Sequence, residues 1–258
     1  MTRNRNSNGD RNPAGHARHT NAELHQATLA TLPAGFEIRR AGETGVCIVD
    51  NFCTPAEAAA LIDKARPHLT HSQIRVGSKT VDFSGRVSDT ALVFGTYRRD
   101  NSLVTLMQRA AMLVGLHYSH LEAVFVTRYG PGGFYEQHID HGSDFRIDRL
   151  YTVLLYLNTL DADQGGETIF TSLNLAAQPR IGRAVSWVNK NPDGSGHLET
   201  NHAAAPIKEG GEKWVVQFWF RAYKMFEPSR APLLPLADMA EDENENLPPG
   251  VSVREHSG

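Results

Sequence analysis

The sequence predicts a mainly β protein in which two helices precede a β core folded as a sandwich or barrel. Three observations carry that reading. From Leu121 onward, short segments rich in Val, Phe, Tyr and Ile alternate with turns of Gly, Pro, Asn and Asp. The stretch EKWVVQFWFRAY alternates along its length in the two-residue period of a strand. Ahead of these lie two segments with helical spacing.

The elements follow in order. Residues 45–52, GVCIVDNF, form an apolar strand that ends in a turn. Thr54 at the N-cap, Pro55 at N1 and Glu57 at N3 make a capping box, and the run of Ala, Leu and Ile behind them predicts a helix to about residue 66. A second helix begins at residue 100 or 101 and carries Leu103, Leu106, Met107, Ala110, Ala111 and Val114 on one side. Strands are expected at 123–129, 150–157 and 213–223. In the last, Trp214, Val216, Phe218 and Phe220 share one face, while Lys213, Val215, Gln217, Trp219 and Arg221 share the other. A face that mixes Lys, Gln, Trp and Arg suits a ligand cavity.

At 258 residues, one domain is expected over 33–226. Residues 1–32, rich in Asn, Arg, Gly and His, read as a disordered leader, and 227–258 as a Pro-rich acidic tail. No internal repeat is visible. A hydrophobic content of 40%, a charged content of 21% and a net charge of -3 give no basic excess to follow a phosphate backbone, so nucleic acid is not an expected partner. No apolar run approaches the roughly 18 residues of a membrane span, and the N-terminus lacks a secretory h-region. A cytoplasmic protein is the default expectation. Cys47 and Cys53 are too few for a disulfide scaffold or a zinc knuckle and read as packing residues.

The chemistry begins at His138-Ile139-Asp140. On an extended chain, residues i and i+2 point the same way and can bind one ion together. The pair arises often by chance and needs a third ligand, for which His141, His197 and His202 are available. Two His and one carboxylate on a triangular face leave coordination positions open, the arrangement of non-haem Fe(II) oxygenases, whereas zinc hydrolases keep a single open site. Lys213 starts the alternating strand on its mixed face. A buried ammonium is costly without a partner, so an inward Lys implies an anionic ligand such as a dicarboxylate. The bland alternative is a strand-end Lys that snorkels to water.

Five ordered motifs, RYGPGGFYEQHID, RLYTVLLYLN, GGETIF, NHAAAP and GEKWVVQFWFR, resemble the catalytic domain of the prolyl 4-hydroxylases, which depend on Fe(II) and 2-oxoglutarate. The resemblance covers about residues 45–224. It implies a double-stranded β-helix (jelly-roll) core with Fe(II), 2-oxoglutarate and O2 as cofactors, and it admits ascorbate as an accessory. It implies further that His138, Asp140 and His202 hold the iron and that Lys213 binds the distal carboxylate of 2-oxoglutarate. Tyr129 and Thr168 would join Lys213, with Tyr156 in the same pocket. His141 and His197 are then bystanders.

On the substrate side, Arg86 and Ser88 in FSGRVSDT match groove positions of such hydroxylases, as do Glu122, Tyr135, Arg149 and Trp219. Mundane readings exist for these too, from aromatic packing of the tyrosines to a solvated Glu122. The chain departs from the family pattern at Arg221 and at the Ala-Ala-Ala-Pro after His202, which puts the substrate in question. A peptidyl proline, a free amino acid or a small molecule all fit, and the oligomeric state stays open. Two rival classes stand beside this reading. A metal-dependent hydrolase or isomerase on a jelly-roll barrel gives Lys213 no reason to face inward. A non-catalytic interaction module would be expected to carry a broken triad.

Overall fold

The structure, a computed structural model, describes residues 37–41, 44–76, 79–93, 100–141 and 148–226. The expected leader at 1–32 and tail at 227–258 lie outside the described residues. The chain runs from β1 (Glu37–Ala41) and β2 (Val46–Asp50) into helix α1 (Pro55–Ala65). Five short strands follow: β3 (Thr70–His71), β4 (Ile74–Val76), β5 (Lys79–Val81), β6 (Arg86–Val87) and β7 (Asp89–Leu92). Helix α2 (Asn101–Val114) then leads into the β core. That core comprises β8 (Phe125–Tyr129), β9 (Phe134–His138), β10 (Arg149–Tyr156), β11 (Thr168–Phe170), β12 (Leu175–Ala177), β13 (Ala184–Val188), β14 (His202–Ala204) and β15 (Lys213–Arg221).

Eight strands form the major sheet in the order β1-β2-β13-β10-β15-β8-β7-β3, and five form the minor sheet in the order β12-β11-β14-β9-β6. The strands from β8 onward pair antiparallel with their neighbours and alternate between the sheets: β8, β10, β13 and β15 in the major, β9, β11 and β14 in the minor. This crossing back and forth is the double-stranded β-helix, and it leaves a space between the two sheets.

Both helices begin where the sequence places them. Thr54 accepts from the Glu57 backbone N–H, and the Glu57 carboxylate accepts from the Thr54 N–H, so two otherwise orphaned donors are satisfied reciprocally. Asp100 caps α2 by accepting from the Leu103 N–H, and Gly115 ends it at φ 68°, a left-handed conformation that glycine adopts without penalty. The helices bury Leu61, Leu103, Leu106, Met107 and Leu113 against the outer face of the major sheet. There they meet Trp214, Val216, Phe218 and Phe220 of β15, the apolar set that the alternation predicted. The opposite face of β15 looks into the space between the sheets, where a second apolar cluster holds Tyr129, Tyr156, Phe170, Trp187 and Val215. One strand therefore anchors the structural core with one set of side chains and furnishes the site with the other.

Candidate functional site

His138 ends β9 and His202 opens β14, and the two residues are direct cross-strand partners in the minor sheet. Their rings lie 4.3 Å apart. Asp140, two residues beyond β9, brings Oδ1 to 3.7 Å from His138 Nε2. Ligand atoms of His138, Asp140 and His202 all fall within 4.8 Å of one another, and among the described residues no other group of His, Cys, Asp or Glu does so. Of the three histidines the sequence left open, the fold selects His202. His141 and His197 instead line a separate cleft with Asn191 and Glu199.

The donor set fits a divalent metal ion. His138 Nδ1 lies 2.7 Å from the Glu136 carbonyl and His202 Nδ1 lies 3.0 Å from the Thr200 carbonyl. A carbonyl can only accept, so both Nδ1 atoms carry the proton and both Nε2 atoms present a lone pair, the arrangement that hydrogen-bonded carbonyls impose on metal-binding imidazoles. Asp140 Oδ2 accepts from Thr152 Oγ1 at 2.6 Å and from Trp219 Nε1 at 3.2 Å, which leaves Oδ1 for the ion. Burial, followed by the neighbouring His202, pushes the His138 pKa down to about 3, so that imidazole is neutral. Burial opposes charge on Asp140, yet His202, His138 and Arg149 together outweigh it and hold the carboxyl below its usual range.

Lys213 opens β15, six residues before Trp219 on the same face, and is 1% exposed. Its ammonium donates to the Gly166 carbonyl at 2.9 Å and sits 4.3 Å from the centre of the Tyr129 ring. Among the described residues no carboxylate forms an ion pair with it, and burial pushes its pKa down to about 7. Snorkelling to water is thereby excluded. The turn that offers the Gly166 carbonyl needs its glycines: φ is 76° at Gly165 and 82° at Gly166, and a Cβ on Gly165 would collide with the Pro206 carbonyl oxygen. Thr168 Oγ1 is 2.6 Å from the Tyr156 hydroxyl, which donates to the Ala177 carbonyl at 2.9 Å. Tyr156 thus braces Thr168 from behind.

The groove residues expected from the sequence gather at the triad. Tyr135 stacks on His138 at 3.7 Å, and the Arg86 guanidinium lies 4.8 Å from the Tyr135 ring. Arg86 donates to Ser88 at 3.0 Å. Arg149 makes a forked pair with Glu122 at 3.1–3.2 Å, and its guanidinium lies 3.6 Å over Trp219, the residue that touches Asp140. Arg221 pairs with Glu122 as well. Sequence reasoning missed Thr152, whose hydroxyl binds Asp140 and is fixed in turn by Asn189 at 2.9 Å. The alternation of β10 was the available signal, since Thr152 shares a face with Tyr156.

The profile of the 2OG-Fe(II) oxygenase superfamily matches residues 124–221, which span every member of the triad and Lys213. The chain carries a 2OG-Fe(II) oxygenase domain. Oxygenases of this superfamily use Fe(II), 2-oxoglutarate and O2. Human prolyl 4-hydroxylase subunit alpha-3 is 32% identical to this oxygenase-domain chain over 191 residues, 70% of the chain and 34% of the relative, so the chain spans about a third of the length of that protein. Two solved structures share the fold. A viral collagen prolyl hydroxylase from Paramecium Bursaria Chlorella virus-1, in complex with 2-oxoglutarate, has a TM-score of 0.51 at 23% identity and covers 69% of this chain and 96% of its own. A Trichoplax adhaerens prolyl hydroxylase bound to a hypoxia inducible factor peptide fragment has a TM-score of 0.56 at 18% identity and covers 78% of this chain and 88% of its own.

Proposed function

We propose that this oxygenase domain is an Fe(II)- and 2-oxoglutarate-dependent hydroxylase of prolyl residues in peptides. The observation that carries the reading is a buried ammonium, with no carboxylate ion pair among the described residues, at one end of the inward face of β15, and a two-His, one-carboxylate triad against Trp219 at the other end of that face. A dicarboxylate satisfies both ends at once. A hydrolytic metal site would need no such cation.

Bound iron supplies the chemistry that couples oxidative decarboxylation of 2-oxoglutarate to succinate and CO2 with insertion of one O2-derived oxygen into a C–H bond. The protein supplies placement. His138 and His202 hold their Nε2 lone pairs toward the ion, and Asp140 gives it a charged oxygen. Lys213 fixes the far carboxylate, with Thr168 beside it. Tyr129, Phe170, Trp187 and Val215 pack together in the apolar cluster between the sheets and keep water from it. Tyr135, Trp219 and Arg149 offer two aromatic faces and a guanidinium at the mouth, a surface suited to a pyrrolidine ring and a peptide carbonyl. The prolyl hydroxylases among the relatives support the same substrate class.

The test is incubation of the Fe(II)-loaded protein with 2-oxoglutarate, O2 and a panel of prolyl peptides, free proline and other small amino acids. Succinate formed in step with a 16 Da mass gain on a peptide is the expected result. Product formation without 2-oxoglutarate, or oxidation of free amino acids alone, would overturn the assignment.

A further inference from the structure

Six polar side chains join into a continuous hydrogen-bonded chain across the inner face of the barrel. Arg86 Nε donates to Ser88 Oγ at 3.0 Å, and Ser88 Oγ donates to Ser72 Oγ at 2.8 Å. Ser72 and Thr90 hydroxyls are 2.5 Å apart, and Thr90 and Thr127 hydroxyls are 3.1 Å apart. Thr127 Oγ1 donates to Gln217 Oε1 at 3.1 Å. Thr90, Thr127 and Gln217 sit on β7, β8 and β15, three neighbouring strands, and Thr90 faces Thr127 directly. Gln217 is buried at 6% exposure, and its Nε2 has no acceptor among the described residues.

The two ends of the chain set a direction along which its protons can all be placed. Each hydroxyl has a single proton, and a guanidinium is a pure donor. With Arg86 donating at one end, Ser88 gives its proton to Ser72, Ser72 to Thr90, Thr90 to Thr127, and Thr127 to the amide oxygen. Every hydroxyl proton is then used. The direction fixes the Gln217 amide with Oε1 turned to Thr127 and both Nε2 protons turned away from it.

We propose that Gln217 is a binding residue for the metal-proximal carboxylate of 2-oxoglutarate and that the Arg86-to-Thr127 chain is the device that aims it, an inference that rests on the reading of the site given above. The inward face of β15 carries Lys213, Val215, Gln217 and Trp219 in that order, with same-face neighbours about 7 Å apart. Trp219 touches the ligand Asp140, and Lys213 lies at the opposite end. Gln217 stands one step from the metal end and two from the lysine. Of the two carboxylates of the co-substrate, Lys213 takes the far one, and the Gln217 amide N–H groups meet the near one. A neutral amide suits this place, because it donates to an anion without adding charge beside the Arg149–Arg221 pair when the cavity is empty.

The test measures 2-oxoglutarate binding by titration calorimetry on the full chain loaded with Mn(II) under anaerobic conditions, with metal affinity measured separately. Gln217→Leu is expected to weaken 2-oxoglutarate about tenfold or more, the loss of one hydrogen bond to a charged group, with Mn(II) affinity unchanged. Thr127→Val and Thr90→Val, which cut the chain without touching the ligand, are expected to weaken it about threefold to tenfold. Thr127→Ser, which keeps the hydroxyl, stays within about twofold of wild type. Gln217→Leu binding as tightly as wild type, or Thr127→Ser as weak as Thr127→Val, would overturn the proposal. Should Gln217→Leu fail to fold, the Val and Ser pair at Thr127 decides. Wild-type protein that takes up Mn(II) but no 2-oxoglutarate would instead overturn the functional reading beneath it.

Discussion

Lys213→Met tests whether the cavity is built around an anion it must receive. The lysine pKa falls from 10.5 to about 7 because burial removes the ammonium from water and outweighs the attraction of Glu167, with the Gly166 carbonyl and the Tyr129 ring as its close contacts. At about 1.4 kcal/mol per pH unit, that fall sets roughly 5 kcal/mol against the charged form in the ligand-free protein. Between pH 7 and 10.5 the unfolded chain binds one proton more than the native protein, so native stability rises with pH across that window and is flat below it. Methionine fills similar volume without the charge. The variant should therefore be more stable than wild type at pH 7 by about 1–4 kcal/mol in urea denaturation, and the gap should narrow toward pH 10. It should also lose measurable 2-oxoglutarate binding. In the wild type, binding the dianion restores the ammonium, so calorimetry at pH 8 in buffers of different ionisation enthalpy should register uptake of close to one proton. A variant less stable than wild type at pH 7, or binding without proton uptake, would refute the reasoning.

Other perturbations probe the frame around the cavity. Thr152→Val removes the 2.6 Å hydrogen bond to Asp140, and metal affinity measured by competition with a chelator should fall about 10- to 100-fold while the fold persists. Glu57→Ala removes both the capping contact at Thr54 and the 3.0 Å pair with Arg109, and should cost about 1–2 kcal/mol in thermal denaturation. Arg183→Leu strips Asp50 of a forked partner at 2.6 and 3.1 Å and should cost about 3 kcal/mol near neutral pH. Arg183 holds the Asp50 pKa below its ordinary 3.8, so the wild-type advantage is present above that value and should shrink as pH falls beneath it.

Much of the site was legible because β structure writes its two faces into the sequence. The alternation of β15 separated Trp214, Val216, Phe218 and Phe220 from Lys213, Gln217 and Trp219 before any coordinates, and the helices do cover the first set. The capping box at Thr54 and the start of the second helix at Asn101 appear where the sequence put them. The strand ends moved by one or two residues, β8 beginning at Phe125 and β10 at Arg149, because pairing partners and not propensity set where a ladder starts. The minor sheet was largely unread. Strands such as Thr168–Phe170 and His202–Ala204 are three residues long, too short for a period-two pattern to stand out. Thr152 and the Ser72–Thr127 chain were invisible for a different reason: they join residues between 12 and 90 positions apart, and only the folded sheet sets them side by side.

The two ends of the cavity are prepared by opposite means, and this fixes the order in which they fill. At the metal end the protein has already met every requirement. His138 is neutral at any pH near 7, both imidazoles have their Nδ1 protons committed to carbonyls, and Asp140 is ionised and oriented by Thr152 and Trp219. A cation entering there displaces no proton from His138 and relieves the repulsion among the converging donor atoms. At the lysine end the requirement is left unmet, since the ammonium is half neutralised near pH 7 and no carboxylate among the described residues forms an ion pair with it. Metal binding should therefore proceed without the co-substrate. Co-substrate binding should depend on the metal for one carboxylate and on proton uptake at Lys213 for the other, so that 2-oxoglutarate added to the metal-free protein gains only a fraction of its affinity.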